Sequence, residues 1–184
     1  IDDLTPLRAL ANLSAPTDFL FLPTRAVQQR IQGSGGWPEG DAKFVGRNPA
    51  DGAEIAYYQR TRHVFGPLKL EIFDAEGHLI DMLPAGKRKG INRVYWSMQV
   101  KPPRVPSAAQ AAFAGTQGPR VLPGHYVVRL TKGDKTYEEG LDIGLDRRAT
   151  FSVSERREQF GVAMRASALF DRMSDLVDRL NGLR

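Results

Sequence analysis

A chain of 184 residues with 41% hydrophobic and 26% charged side chains is long enough to bury a core of its own, so one medium domain with terminal elaborations is expected. It contains no cysteine, which excludes disulfide staples, thiolate metal sites and a cysteine nucleophile. The net charge of +5 comes from 26 basic and 21 acidic residues, and many arginines sit beside acids, as in Glu155-Arg156-Arg157-Glu158. That mixture lacks the basic, aromatic-interleaved face of a nucleic-acid site, so no nucleic-acid partner is expected. No apolar run approaches the roughly 20 residues that span a bilayer, so no membrane insertion is expected. The chain opens at Ile1 without a signal-like stretch, as a processed product or an excised fragment would.

Residues 1–43 read as a lead-in and linker. Asp3 and Thr5 precede Pro6, which suits the first turn of a helix through Leu7 and Leu10. Phe19-Leu20-Phe21-Leu22 is a compact apolar strip, either a short strand or a docking segment, and Pro23 closes it. The stretch Gly33-Ser34-Gly35-Gly36-Trp37-Pro38-Glu39-Gly40 has linker composition, without the strand-to-helix context of a phosphate loop.

From residue 44 to about 146 the pattern changes to short β runs punctuated by turns. A strand is expected over 53–59, where Ile55, Tyr57 and Tyr58 favour β structure. Leu68-Lys69-Leu70-Glu71-Ile72-Phe73 alternates with period two, and Asp74-Ala75-Glu76-Gly77 turns it into Leu79, Ile80, Met82 and Leu83. Gly90 to Trp96 leads into another strand, with Ile91, Val94 and Trp96 toward the core. After Leu122-Pro123-Gly124, His125 to Leu130 forms a strand that returns through Lys132-Gly133-Asp134-Lys135 to Leu141 and Ile143. Such spacing predicts an antiparallel β-sandwich, interrupted by an exposed, mobile loop over 101–120.

Residues 147–184 predict a long amphipathic helix. Ser152 and Glu155 match a capping box. Val162, Ala166, Leu169, Met173, Leu176, Leu180 and Leu183 recur at alternating steps of four and three. Phe160, Phe170 and Val177 widen this stripe. A helix over 154–181 would run about 40 Å, twice a typical strand, so part of the stripe is expected to meet something beyond the sandwich.

The run from Leu70 to Ile80, the segment Gly90-Ile91-Asn92-Arg93-Val94-Tyr95-Trp96 and the later Val121-Leu122-Pro123-Gly124-His125-Tyr126-Val127-Val128-Arg129-Leu130 resemble a recurrent bacterial sandwich module. Related modules occur in the flagellar hook-capping protein and in accessory domains of secreted proteins. The whole chain is similar to the tail of large exported bacterial proteins carrying sortilin-like, BNR/Asp-box β-propellers. There a lead-in like Asp2-Asp3-Leu4-Thr5-Pro6-Leu7-Arg8 follows the propeller, and a segment like Arg47-Asn48-Pro49-Ala50-Asp51-Gly52-Ala53-Glu54-Ile55 opens the sandwich. This resemblance implies a mainly β, immunoglobulin-like or fibronectin-III-like sandwich with a long C-terminal helix, in the periplasm or outside the cell. The propeller's own Asp-box repeats are absent from the sequence, so no propeller activity carries over.

The chemistry in the sequence is sparse. His63, His78 and His125 are too widely spaced to form a zinc motif, and no Gly-x-Ser-x-Gly elbow occurs. Asp74 and Glu76 precede Gly77 as turn residues do. No catalytic, metal or cofactor site is expected, and the chain reads as a non-catalytic accessory module. Its expected partner is an adjacent domain of the same polypeptide, or a second copy, reached through Val162, Leu169, Met173, Leu176 and Leu180. The alternative is a carbohydrate-binding sandwich in which Trp37 and Tyr95 stack on sugar; Tyr95 should face away from core-facing Trp96.

Overall fold

The computed structural model describes residues 3–12, 17–29, 52–106 and 117–183. The linker expected over 33–40, Trp37 within it, and the centre of the 101–120 insertion lie outside those residues. The described chain is mainly β, with two sheets and a C-terminal helix. In order, the elements are α1 (Thr5–Ala11), β1 (Phe19–Leu22), β2 (Val27–Gln29), β3 (Ala53–Gln59), β4 (Leu68–Phe73), β5 (Leu79–Leu83), β6 (Gly90–Trp96), β7 (Gly124–Lys132), β8 (Lys135–Leu145) and α2 (Val153–Asn181).

One sheet has the order β1-β3-β6, and the other β2-β8-β7-β4-β5. The second curls like half of a barrel. All pairings are antiparallel except β2 with β8, which is parallel. Segments within the 1–43 lead-in thus supply an edge strand to each sheet. Phe19-Leu20-Phe21-Leu22 is the strand of the two readings its sequence allowed, whereas the three residues of β2 are too few to show a period.

Alternation sorts the side chains. Ile55, Tyr57, Val94 and Trp96 of the first sheet meet Leu70, Ile72, Val128 and Leu130 of the second in one core. Trp96 is fully buried, and its ring meets Tyr126 edge-on at 5.4 Å. The opposite face of the three-stranded sheet carries Glu54, Ala56, Arg93 and Tyr95, and α1 packs against β1 and β3. Between β4 and β5, Asp74 Oδ1 accepts the amides of Glu76 and His78, while Gly77 takes a φ of 85°. Those bonds account for Asp74 in this turn.

Candidate functional site

The residues singled out on the terminal helix come together on α2. The helix starts where the sequence places a cap: Ser152 Oγ accepts the Glu155 amide, and the Glu155 carboxylate accepts the Ser152 amide at 2.7 Å. The two donors from Ser152 hold the Glu155 carboxyl below its ordinary range. One turn in, Arg156 is buried, and its guanidinium donates to the carbonyls of Arg120 and Val121. Burial, with Arg120 nearby, favours its neutral form more than in water, against the pull of Tyr126.

Beyond Arg156 the helix rests on the segments flanking the 107–116 stretch. Phe160, Ala163, Ser167, Phe170, Ser174 and Val177 form its less exposed face. Pro103, Gln117, Gly118 and Pro119 line a shallow depression with Ala163, Ser167 and Phe170. Arg104 fastens the far half: its amide donates to Asp171 at 2.8 Å, and its guanidinium pairs with Asp175 and Asp178.

The helix therefore does pack within the chain, but with the face next to the predicted stripe. Val162, Leu169, Met173, Leu176 and Leu180 point outward and are 50–57% exposed. None of the described residues covers them. Burying the exposed half of each would stabilise a complex by roughly 1 kcal/mol per side chain. Along one border run Arg165, Arg172 and Arg179, seven residues apart and all exposed. The acids Asp171, Asp175 and Asp178 lie on the other side of the packed face, at Arg104. An antiparallel second copy would set these arginine rows against each other.

Compared with known proteins, the chain matches no family model, no curated protein and no solved structure.

The remaining predicted contact residues do not converge. Tyr95 lies 47% exposed on the outer face of β6, and its hydroxyl donates to Glu54 Oε2 at 3.1 Å. Arg93 Nε approaches the other oxygen at 3.2 Å. This places a half-exposed ring beside charged groups, while Trp37 lies outside the described residues.

Two other clusters bear on chemistry. Ligand atoms of Asp74, Glu76 and His78 lie within 4.8 Å of one another. Such a set can hold a divalent cation only by giving up bonds it already makes: His78 Nδ1 is 3.0 Å from Asp74 Oδ2, and both amides occupy Oδ1. A cleft of about 320 Å³ opens between the edges of the two sheets, where Arg25, Glu54, Glu139 and Asp142 line its walls. Two of these acids are engaged elsewhere: Glu54 with Tyr95 and Arg93, and Asp142 with His125 Nδ1 at 2.8 Å.

Sequence reasoning missed Arg156 and Arg104 as the residues that set the helix down. Their signal was faint, because each is one arginine among many. The packed face did leave a trace. Positions 160, 163, 167, 170, 174 and 177 repeat at steps of three and four, with small residues between aromatic ones.

Proposed function

We propose that the chain is a non-catalytic interaction module of a larger exported bacterial protein, docking its C-terminal helix against an adjacent domain such as a β-propeller. The observation that carries this reading is the outward stripe of Val162, Leu169, Met173, Leu176 and Leu180 on a helix already fixed by its other face. A long helix draws its stability from tertiary burial, and this one leaves its most regular apolar face unused.

The body beneath it is proposed to be immunoglobulin-like. The strand order supports this: β1-β3-β6 opposite β8-β7-β4-β5, with β2 parallel to β8, follows the two-sheet arrangement of that fold. So does Tyr126, near the start of β7, whose hydroxyl returns to a backbone carbonyl four residues upstream. The export and propeller assignments rest on the sequence resemblance alone.

The test is hydrogen exchange over 162–180 in the intact gene product and in this 184-residue chain. Docking predicts slower exchange in the intact protein, reversed by Leu169→Glu with Leu176→Glu. Equal exchange in both would remove the reading. A dimer of the short chain by light scattering, lost in the same variant, would instead assign the stripe to a second copy.

The carbohydrate alternative keeps one specific support, the half-exposed Tyr95 ring with Glu54 and Arg93 beside it. Glycan-array binding lost in Tyr95→Ala, with folding retained, would favour it.

A further inference from the structure

The end of the body formed by the β3–β4, β5–β6 and β7–β8 connections has a character that its scattered sequence positions conceal. Strand registers bring the three connections together: Gln59 pairs with Gly90, Leu70 with Leu83, and Leu68 with Lys132. Arg60 and Arg62 lie on the first connection and Lys87-Arg88-Lys89 on the second, while Lys132 and Lys135 flank the third. The only acids on these three connections and the adjoining start of β1 are Asp134 and Asp18, and Asp18 pairs with Arg60 at 3.8 Å. Seven basic and two acidic side chains thus concentrate at one end a surplus equal to the whole chain's +5. Arg62, Lys87, Arg88 and Lys89 make no ion pair with a described residue.

At the apex of this basic ring stand Val64 and Phe65, 64% and 87% exposed. The loop that carries them is pinned. His63 is buried, its amide donates to the Lys87 carbonyl at 3.0 Å, and its ring Nε2 lies 3.0 Å from the Gly66 carbonyl. Gly66 takes a φ of 84°, and the Pro67 carbonyl accepts the Gly133 amide. Phe65 is therefore presented on a fixed frame, which lowers the entropy lost on binding.

We propose that this end docks peripherally on an anionic phospholipid surface. Phe65 and Val64 enter the headgroup region, and the lysines and arginines around them meet the lipid phosphates. A protruding apolar tip inside a basic ring fits a soft interface that is anionic outside and apolar beneath. A nucleic acid would call for a basic track with several stacking rings, whereas here a single ring projects. No helix among the described residues is long and apolar enough to cross a membrane. It lies on different connections from the α2 stripe and stands whether or not that stripe docks.

Cosedimentation of the 184-residue chain with vesicles tests this. Binding to vesicles containing about one third phosphatidylglycerol should exceed binding to pure phosphatidylcholine by about tenfold, and weaken as salt rises. Lys87→Ala with Arg88→Ala and Lys89→Ala should lower the affinity about tenfold. Phe65→Ala should lower it about fivefold while leaving its salt dependence unchanged. In Phe65→Trp, indole emission should shift to the blue on the anionic vesicles. All of these side chains are exposed, and near-ultraviolet circular dichroism checks that each variant folds. Equal binding to both vesicle types, or no binding to either, overturns the proposal. So does unchanged vesicle binding by Phe65→Ala, or tighter binding to duplex DNA or heparin that ignores Phe65; that last pattern would assign the basic ring to an anionic polymer.

Discussion

The Tyr126 hydroxyl donates to the Leu122 carbonyl at 2.7 Å, tying the start of β7 to the backbone that leads into it. Because this ring also packs on Trp96, the bond fixes both the corner and the centre of the core. Removing the hydroxyl leaves a carbonyl without its donor, so Tyr126→Phe should destabilise by about 1 kcal/mol in urea unfolding.

The same burial makes stability sensitive to alkali. Burial, with Asp74 nearby, pushes the Tyr126 phenol up to about 12, and burial pushes Tyr57 up to about 12. Both folded values lie above the ordinary 10.0. Their contribution is therefore complete below pH 10 and is lost as the pH rises through 12. Phenolate absorbance should show these two rings unionised at pH 11, and unfolding midpoints should fall from pH 10 upward. Ionisation of all five tyrosines near pH 10 in the folded protein would contradict this.

Arg156 sets the position of the helix. Its buried guanidinium donates to two carbonyls at 2.7 and 3.2 Å, bonds that a methionine of similar length cannot make. Arg156→Met should cost about 1.5–3 kcal/mol. Hydrogen exchange should quicken over 153–181 more than over β3, β4 and β7, since the anchor lies between α2 and the segment before β7. Uniform acceleration throughout would show that helix and sheets unfold as one unit.

Gly52 is a second test of close packing. A Cβ there would lie 2.6 Å from the Trp96 carbonyl oxygen, a backbone atom with little room to move. Gly52→Ala should push apart the adjacent Ala53–Trp96 pairing of β3 and β6 and cost about 1–3 kcal/mol, read as a lowered urea midpoint.

That glycine also illustrates what was legible. The requirement at Gly52 is proximity to the backbone of β6, which only pairing reveals. Local patterns did carry the hairpin of β4 and β5, the strands β3, β6, β7 and β8, and the opposite orientations of Tyr95 and Trp96. The cap at Ser152 and the extent of α2 were equally local. What stayed hidden depends on contacts distant in sequence. The pairing of Val27–Gln29 with β8 leaves no periodic trace in three residues. The face of α2 that packs is chosen by Arg104, Pro103 and Pro119, none of which belongs to a regular element. The basic end around Phe65 is assembled from three connections, each unremarkable by itself.

The capping box gives a prediction in acid. The Ser152 amide and hydroxyl donate to the Glu155 carboxylate at 2.7 and 2.9 Å, and hold its carboxyl below its ordinary value of 4.5. A depressed folded value means that the stabilisation is present above about pH 4.5 and fades as the pH falls through the folded value. Glu155→Gln should therefore lower the thermal midpoint at pH 7, and the gap from the parent should close as the pH drops toward 3. Ser152→Ala removes the reciprocal bond and should lower the midpoint by about 2–4 °C at neutral pH. The helix N-terminus should register both changes first, as faster exchange over 153–158. A gap between parent and Glu155→Gln that stays constant from pH 7 to pH 3 would show that the carboxylate's charge contributes nothing to holding the helix start.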